Sequence, residues 1–151
     1  MMSLEARMND DIKKAMLAKD AARLNALRAI KSAILLAKTE KGGSEALSTE
    51  AEIQLLQRLV KQRRDSYEIY VQQNREDLAA DEKVQIDVIS EYLPAQLSDE
   101  QLEEKLKEII AQVGASGPQD MGKVMGVASK ALAGQAEGKR ISEVVKKLLL
   151  S

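Results

Sequence analysis

Apolar residues recur along this chain at intervals of three and four, the spacing that stacks them on one stripe of an α-helix. Leu4, Met8, Ile12 and Met16 form the first such stripe, and Ser3 just ahead of it carries a hydroxyl suited to capping the helix. Asp20 opens a second helix with Leu24, Leu27, Ile30, Ile34 and Leu35 facing inward, and Gly42-Gly43 ends it. Thr49 followed three residues later by Glu52 reads as a capping box. It starts a long third helix through Ile53, Leu56, Val60, Tyr67 and Val71, with Asn74 marking an end or a bend. Between Lys83 and Ser90 the pattern is double: Val84, Ile86 and Val88 alternate as in a strand, whereas Ile86, Ile89 and Leu93 fit a helix. A lone strand has nothing to pair with, so a helix is expected there.

Pro94 interrupts the helical pattern, and the chain restarts with a different set of signals. Ser98 and Gln101 form a capping box, with Leu97 and Leu102 placed as a hydrophobic staple around it. A fifth helix carries Leu102, Leu106, Ile109, Ile110 and Val113 up to Gly114. After Gly117-Pro118 a sixth presents Met121, Val124, Met125, Ala128 and Leu132, ending at Gly134. A last helix is expected from a Ser142 cap through Val145, Leu148 and Leu149. The fold class is therefore all-α: an N-terminal multi-helix domain over residues 1–95, then a small C-terminal three-helix domain over 96–151.

Composition narrows the chemistry. The 151 residues are 44% apolar and 31% charged, and the only aromatics are Tyr67, Tyr70 and Tyr92. The cores must be built from Leu, Ile, Val, Met and Ala, and there is little material for stacking single-stranded bases. Cys and His are both absent, which removes disulfides, thiol nucleophiles, imidazole bases and zinc sites of the usual kind. No carboxylate pair has an acid–base spacing and no Gly-x-Ser-x-Gly elbow occurs, so no catalytic residue, cofactor or metal ligand is expected. No apolar run reaches the ~18 residues of a membrane span. The first eleven residues lack the apolar core of a secretion signal. Cytoplasm is the expected compartment, with no membrane partner.

Charge is balanced in total, at −1, and uneven in place. Residues 76–91 hold six acids against Lys83, whereas residues 121–151 hold Lys123, Lys130, Lys139, Arg140, Lys146 and Lys147 against Glu137 and Glu143. That basic tail is a candidate phosphate-binding surface. A second candidate is the set Arg23, Arg28, Lys31, Arg58, Arg63 and Arg64, where Arg63-Arg64 and Lys31 interrupt apolar stripes. These six form either a patch for phosphate or an acidic partner, or stems along the core edge with heads on the nearby acids. The structural reading is favoured because those acids lie close in sequence.

Gly122 and Gly126, four apart within a helix, each cost about 1 kcal/mol relative to Ala and so call for a close backbone approach, by a neighbouring helix or by a ligand. Internal packing is the favoured explanation. The turn from Gly134 to Arg140 sets Gly134 and Gly138 beside Lys139 and Arg140, equipment for a nucleic-acid phosphate or simply a solvated turn.

Four blocks in order resemble the YqeY-like, or GatB/YqeY-domain, proteins. They are Leu24-Asn25-Ala26-Leu27-Arg28, Lys61 to Ser66, Tyr92-Leu93-Pro94-Ala95-Gln96-Leu97-Ser98, and Asp120-Met121-Gly122-Lys123-Val124-Met125-Gly126. From about Ser98 the chain is similar to the tail domain of the GatB component of aspartyl/glutamyl-tRNA amidotransferase, a domain that contacts tRNA and does no chemistry. The resemblance implies a two-domain all-α fold, tRNA as a partner, and a protein partner in tRNA amidation. It gives Gly122, Gly126, Gly134 and Gly138 counterparts in the family pattern, whereas Gln135 and Glu137 depart from it. The kinase-like catalytic part of the GatB component has no equivalent here. The expected function is thus an accessory RNA-binding protein related to a glutamine-dependent carbon–nitrogen ligase, the alternative being a protein–protein adaptor or homodimeric helical module with no RNA role.

Overall fold

The computed structural model describes residues 2–42 and 46–150. Seven α-helices and one 3-10 turn, with no strand, make up the regular structure of the described residues. They are α1 (Leu4–Leu17), α2 (Ala21–Glu40), α3 (Thr49–Gln72), α4 (Glu76–Ser90), α5 (Asp99–Val113), the 3-10 turn Pro118–Asp120, α6 (Met121–Ala131) and α7 (Gly138–Leu150). The all-α expectation therefore holds, including the helix across Lys83–Ser90. There Val88 and Ile89 are buried side by side, which a helix allows and the alternating faces of a strand do not.

Local chemistry sets most helix ends. Ser3 Oγ accepts the Ala6 N–H at 3.2 Å, and Asp20 Oδ1 accepts that of Arg23 at 3.1 Å. Ser98 and Gln101 form the reciprocal box, Gln101 N–H to Ser98 Oγ at 3.2 Å and Ser98 N–H to Gln101 Oε1 at 3.0 Å. Three helices close on left-handed residues, Lys19, Asn74 and Gly114, each followed by a backbone bond that reaches back five residues. The expected stop at Gly42-Gly43 is met in part: Gly42 has φ +101°, while Gly43 lies outside the described residues.

Four expectations are corrected. The cap of α3 is Ser48, whose Oγ accepts the Ala51 N–H at 3.1 Å, so Thr49 and Glu52 are not its capping box. Glu52 instead accepts the Leu4 N–H at 2.8 Å and caps α1 from another helix. Met16 is exposed, because a strict four-residue stripe drifts by about 40° per step on a helix of 3.6 residues per turn. Ala15 fills the buried position. Leu35 is exposed for a related reason, standing about 100° round from the buried Ile34. Finally, α7 starts at Gly138 rather than Ser142, because burying Ile141 on the stripe of Val145 and Leu149 draws the preceding residues into the helix.

The chain gathers into two compact units, Met1–Leu93 and Pro94–Ser151. In the first, Leu4, Met8, Leu27, Ile30, Ile34, Leu56, Ile89 and Tyr92 belong to one core drawn from α1 to α4 and the residues just after. In the second, Leu102, Leu106, Val124, Ala128, Ile141 and Val145 join α5, α6 and α7 around a separate core. Gln96 Nε2 donates to the carbonyls of Pro94 (2.8 Å) and Gly134 (2.6 Å), and Leu97 N–H to that of Gln135 (2.9 Å). The residues after Leu93 are thereby tied to the second unit.

Candidate nucleic-acid interface

The C-terminal unit sorts its charges by helix. Its first helix, α5, carries Asp99, Glu100, Glu103, Glu104 and Glu108 against Lys105 and Lys107. The bases collect on α6 and α7. On α6 the core takes Val124 and Ala128, with Met121 and Met125 half-buried, which turns the opposite side to solvent. Lys123, Gly126, Val127 and Lys130 stand at steps of three and four on that outer side, and all four are exposed. On α7, Ile141, Val145 and Leu149 face inward. Lys139 and Lys146, seven residues apart, share one exposed edge, while half-buried Arg140 and exposed Lys147 share a different side of the helix. Glu143 is the acid among them on this helix.

Arg140 has a partner. Its Nε and Nη2 donate to Asp99 Oδ1 at 3.1 and 2.6 Å, joining the start of α7 to the start of α5. It is a half-buried tie between helices, and its edge of α7 lies beside the acidic helix. The turn before it is also partly engaged: Gln135 N–H donates to Leu132 O at 2.9 Å, and the carbonyls of Gly134 and Gln135 accept the Gln96 and Leu97 bonds. Lys139 and Arg140 sit in the first turn of α7 itself rather than in a loop ahead of it.

The glycines fall into two kinds. Gly134, at φ +77°, holds a left-handed turn that a side chain would strain. Gly122, Gly126 and Gly138 have open space where a Cβ would stand. Internal packing, the favoured reading for Gly122 and Gly126, is overturned: no atom of another helix approaches them, because they face outward while α6 buries its other side.

The N-terminal cations do not converge. Arg23 makes a two-pronged bond to Glu91, at 2.9 and 3.2 Å. The same carboxylate raises its pKa further, against a partial opposing effect of burial. Arg63 is half-buried, its Nε donating to Gln85 Oε1 at 2.7 Å and its Nη1 to Leu59 O at 3.2 Å. Arg28, Arg58 and Arg64 are exposed and Lys31 is half-buried. The five-residue step from Arg23 to Arg28, and from Arg58 to Arg63, turns each pair about 140° apart, so the six cannot share one face.

One polar cluster escaped the sequence reading. Buried Tyr92 donates its hydroxyl to Asp11, and the Arg7 guanidinium lies 4.7 Å from the centre of its ring. Burial, followed by the Asp11 carboxylate, pushes the Tyr92 pKa up to about 12. The cue in the sequence was a lone aromatic close to Pro94, but nothing there tied it to a residue 81 positions away. Among the described residues no group of three or more acidic side chains could hold a metal ion.

Residues 5–149 match the Yqey-like protein family. The chain belongs to that family. Among curated relatives it is similar to altered inheritance of mitochondria protein 41, mitochondrial, from Lachancea thermotolerans, at 33% identity over 116 residues, covering 75% of this chain and 61% of the relative. The protein of that name from Clavispora lusitaniae is 36% identical over 118 residues, covering 76% and 66%. That from Pyrenophora tritici-repentis is 30% identical over 147 residues, covering 92% and 79%. The chain thus spans less than two thirds of the length of the first two.

These relatives correct the expected cytoplasmic location, since all three are named as mitochondrial. The physical reason is plain: a chain without Cys suits any reducing aqueous compartment, and lack of a spanning helix does not separate one such compartment from another. For this YqeY-like protein, no helix among the described residues is long and apolar enough to cross a membrane.

Proposed function

We propose that this YqeY-like protein is an accessory binding protein whose C-terminal unit docks on folded RNA, tRNA in particular. The observation that carries the reading is the segregation of charge in that unit: exposed Lys123, Lys130, Lys139 and Lys146 on α6 and α7, with five of the unit's eight acids on α5. Lysines without neighbouring aromatics suit recognition of backbone and shape rather than of bases. The open backbone at Gly122 and Gly126 lets a phosphate strand come close between Lys123 and Lys130. The likeness of this half to the tail of the GatB component of a glutamine-dependent tRNA amidotransferase supports tRNA as the RNA, and a supporting place beside such a carbon–nitrogen ligase rather than catalysis.

The test is titration of tRNA across a salt series. The wild-type chain is expected to bind, with affinity falling steeply as salt rises. Replacing Lys123 and Lys130 together by Ala should weaken binding and make the salt slope shallower by about two contacts at roughly 0.7–0.9 each. Arg140 is a poor choice for this experiment because its loss also breaks the tie to Asp99. Unchanged affinity in the double variant, or no binding at low salt, would end the RNA reading.

One observation favours the adaptor alternative. Leu35 and Leu36 are 45% and 63% exposed on adjacent positions of α2, more apolar surface than a helix normally leaves bare. A dimeric mass in solution that becomes monomeric on replacing Leu36 by Glu would place it first.

A further inference from the structure

The turn between α1 and α2 combines three features that solvent exposure alone does not explain. Leu17, the last residue of α1, is 85% exposed, and Met16 beside it is 54% exposed. Lys13 and Lys14 precede Leu17 by four and three residues, so all three share the outer side of α1, and Lys19 follows in the turn. None of these lysines is held in an ion pair among the described residues, whereas the nearby Asp20 is engaged as the cap of α2. Beside Met16 a shallow depression of about 260 Å³ is lined by Ala15, Met16, Lys19, Asp20, Ala21 and Leu24.

The backbone of this turn is closed on itself. Ala18, Lys19 and Asp20 donate their N–H groups to the carbonyls of Lys14, Met16 and Ala15, at 2.9, 3.2 and 3.0 Å. Three carbonyls that a helix end ordinarily leaves to water are thereby satisfied, which lowers the cost of moving the turn into a medium poor in water. Lys19 achieves the closure with φ +55°, where glycine would be less strained.

We infer that the α1–α2 turn is a contact site for an anionic phospholipid surface. Leu17 and Met16 enter the boundary between headgroups and acyl chains, and Lys13, Lys14 and Lys19 meet the lipid phosphates around them. The charge complementarity is local: exposed Lys13, Lys14 and Lys19 stand near a projecting apolar tip, against the single acid Asp20 within residues 13–20. Leu17 projects into solvent, which suits a deformable lipid interface better than the shaped groove of a protein. Such a contact needs no spanning helix, so it is compatible with the absence of one among the described residues.

The chain contains no Trp, so Leu17→Trp places a single reporter at the tip. The full chain carrying it is mixed with vesicles of phosphatidylcholine alone or of phosphatidylcholine with phosphatidylglycerol. A blue shift of the Trp emission is expected with the second and not with the first. In flotation of the otherwise native chain, Leu17→Asp should reduce partitioning about tenfold or more, and joint replacement of Lys13, Lys14 and Lys19 by Gln comparably. Leu17, Lys13, Lys14 and Lys19 are all exposed, so the fold stays intact in both variants. The pair Lys123→Ala and Lys130→Ala should leave most of the partitioning in place. No emission shift on anionic vesicles overturns the inference, as does binding that survives Leu17→Asp and disappears with the α6 lysines.

Discussion

Tyr92 shows how much one side chain can decide. It is the only aromatic buried in either core, yet its hydroxyl still finds Asp11 and its ring a guanidinium face at Arg7. A phenol whose folded pKa stands at about 12, above its ordinary value of 10.0, favours the folded state while it keeps its proton. That contribution is complete below about pH 10 and is lost as pH rises towards 12, because the unfolded chain gives up the proton first. Denaturation followed across that window should show stability falling with pH in the wild type. Tyr92→Phe should be less stable by about 1 kcal/mol at neutral pH and show a smaller fall in the window. An identical pH dependence in both would mean that the hydroxyl is not the group responsible.

At the scale of elements, glycines with the same letter have opposite roles. Gly114 ends α5 at φ +70°, a conformation in which a side chain is strained, whereas Gly122 in the first turn of α6 and Gly126 at its middle have open space around them. Gly114→Ala should therefore destabilise the chain by about 1 kcal/mol. Gly122→Ala and Gly126→Ala should each stabilise it by about 0.5–1 kcal/mol, since alanine restricts the unfolded chain and fits the helix. Thermal melting distinguishes the two signs directly. A stabilised Gly126→Ala that binds tRNA more weakly would add weight to the close-approach role. Glu52 makes a parallel point about elements: three residues after Thr49 it looks local, and it serves the start of α1 instead.

For the whole molecule, the two cores share no residue, and each is assembled from its own stretch of chain. Leu106 is fully buried among α5, α6 and α7. Leu106→Ala should cost about 2–5 kcal/mol, and hydrogen exchange should show the loss of protection confined to residues 94–151. Spread of the loss into α1 and α2 would mean that the two units unfold as one. The same division places the candidate RNA face and the candidate lipid-contact turn on different units, so either can be altered without disturbing the core beneath the other.

The sequence by itself determined the helices and most of their ends, because caps, glycines and three-to-four spacing act over a single turn. Ser3, Asp20, Ser98, Asn74 and Gly114 all mark helix ends in the structure. It also located the basic stretch over residues 121–151, since a local excess of charge survives any folding. Only the tertiary structure decided which of those charges are committed. Arg140 meets Asp99 from 41 residues away, Arg23 meets Glu91 from 68, and Glu52 reaches Leu4 from 48. Such pairings depend on how helices pack, and packing is set by the sum of many weak contacts rather than by any local signal. The same reason explains why the sequence marks Gly122 and Gly126 as unusual but not as exposed, and why its spacing assigns Met16 and Leu35 to the core.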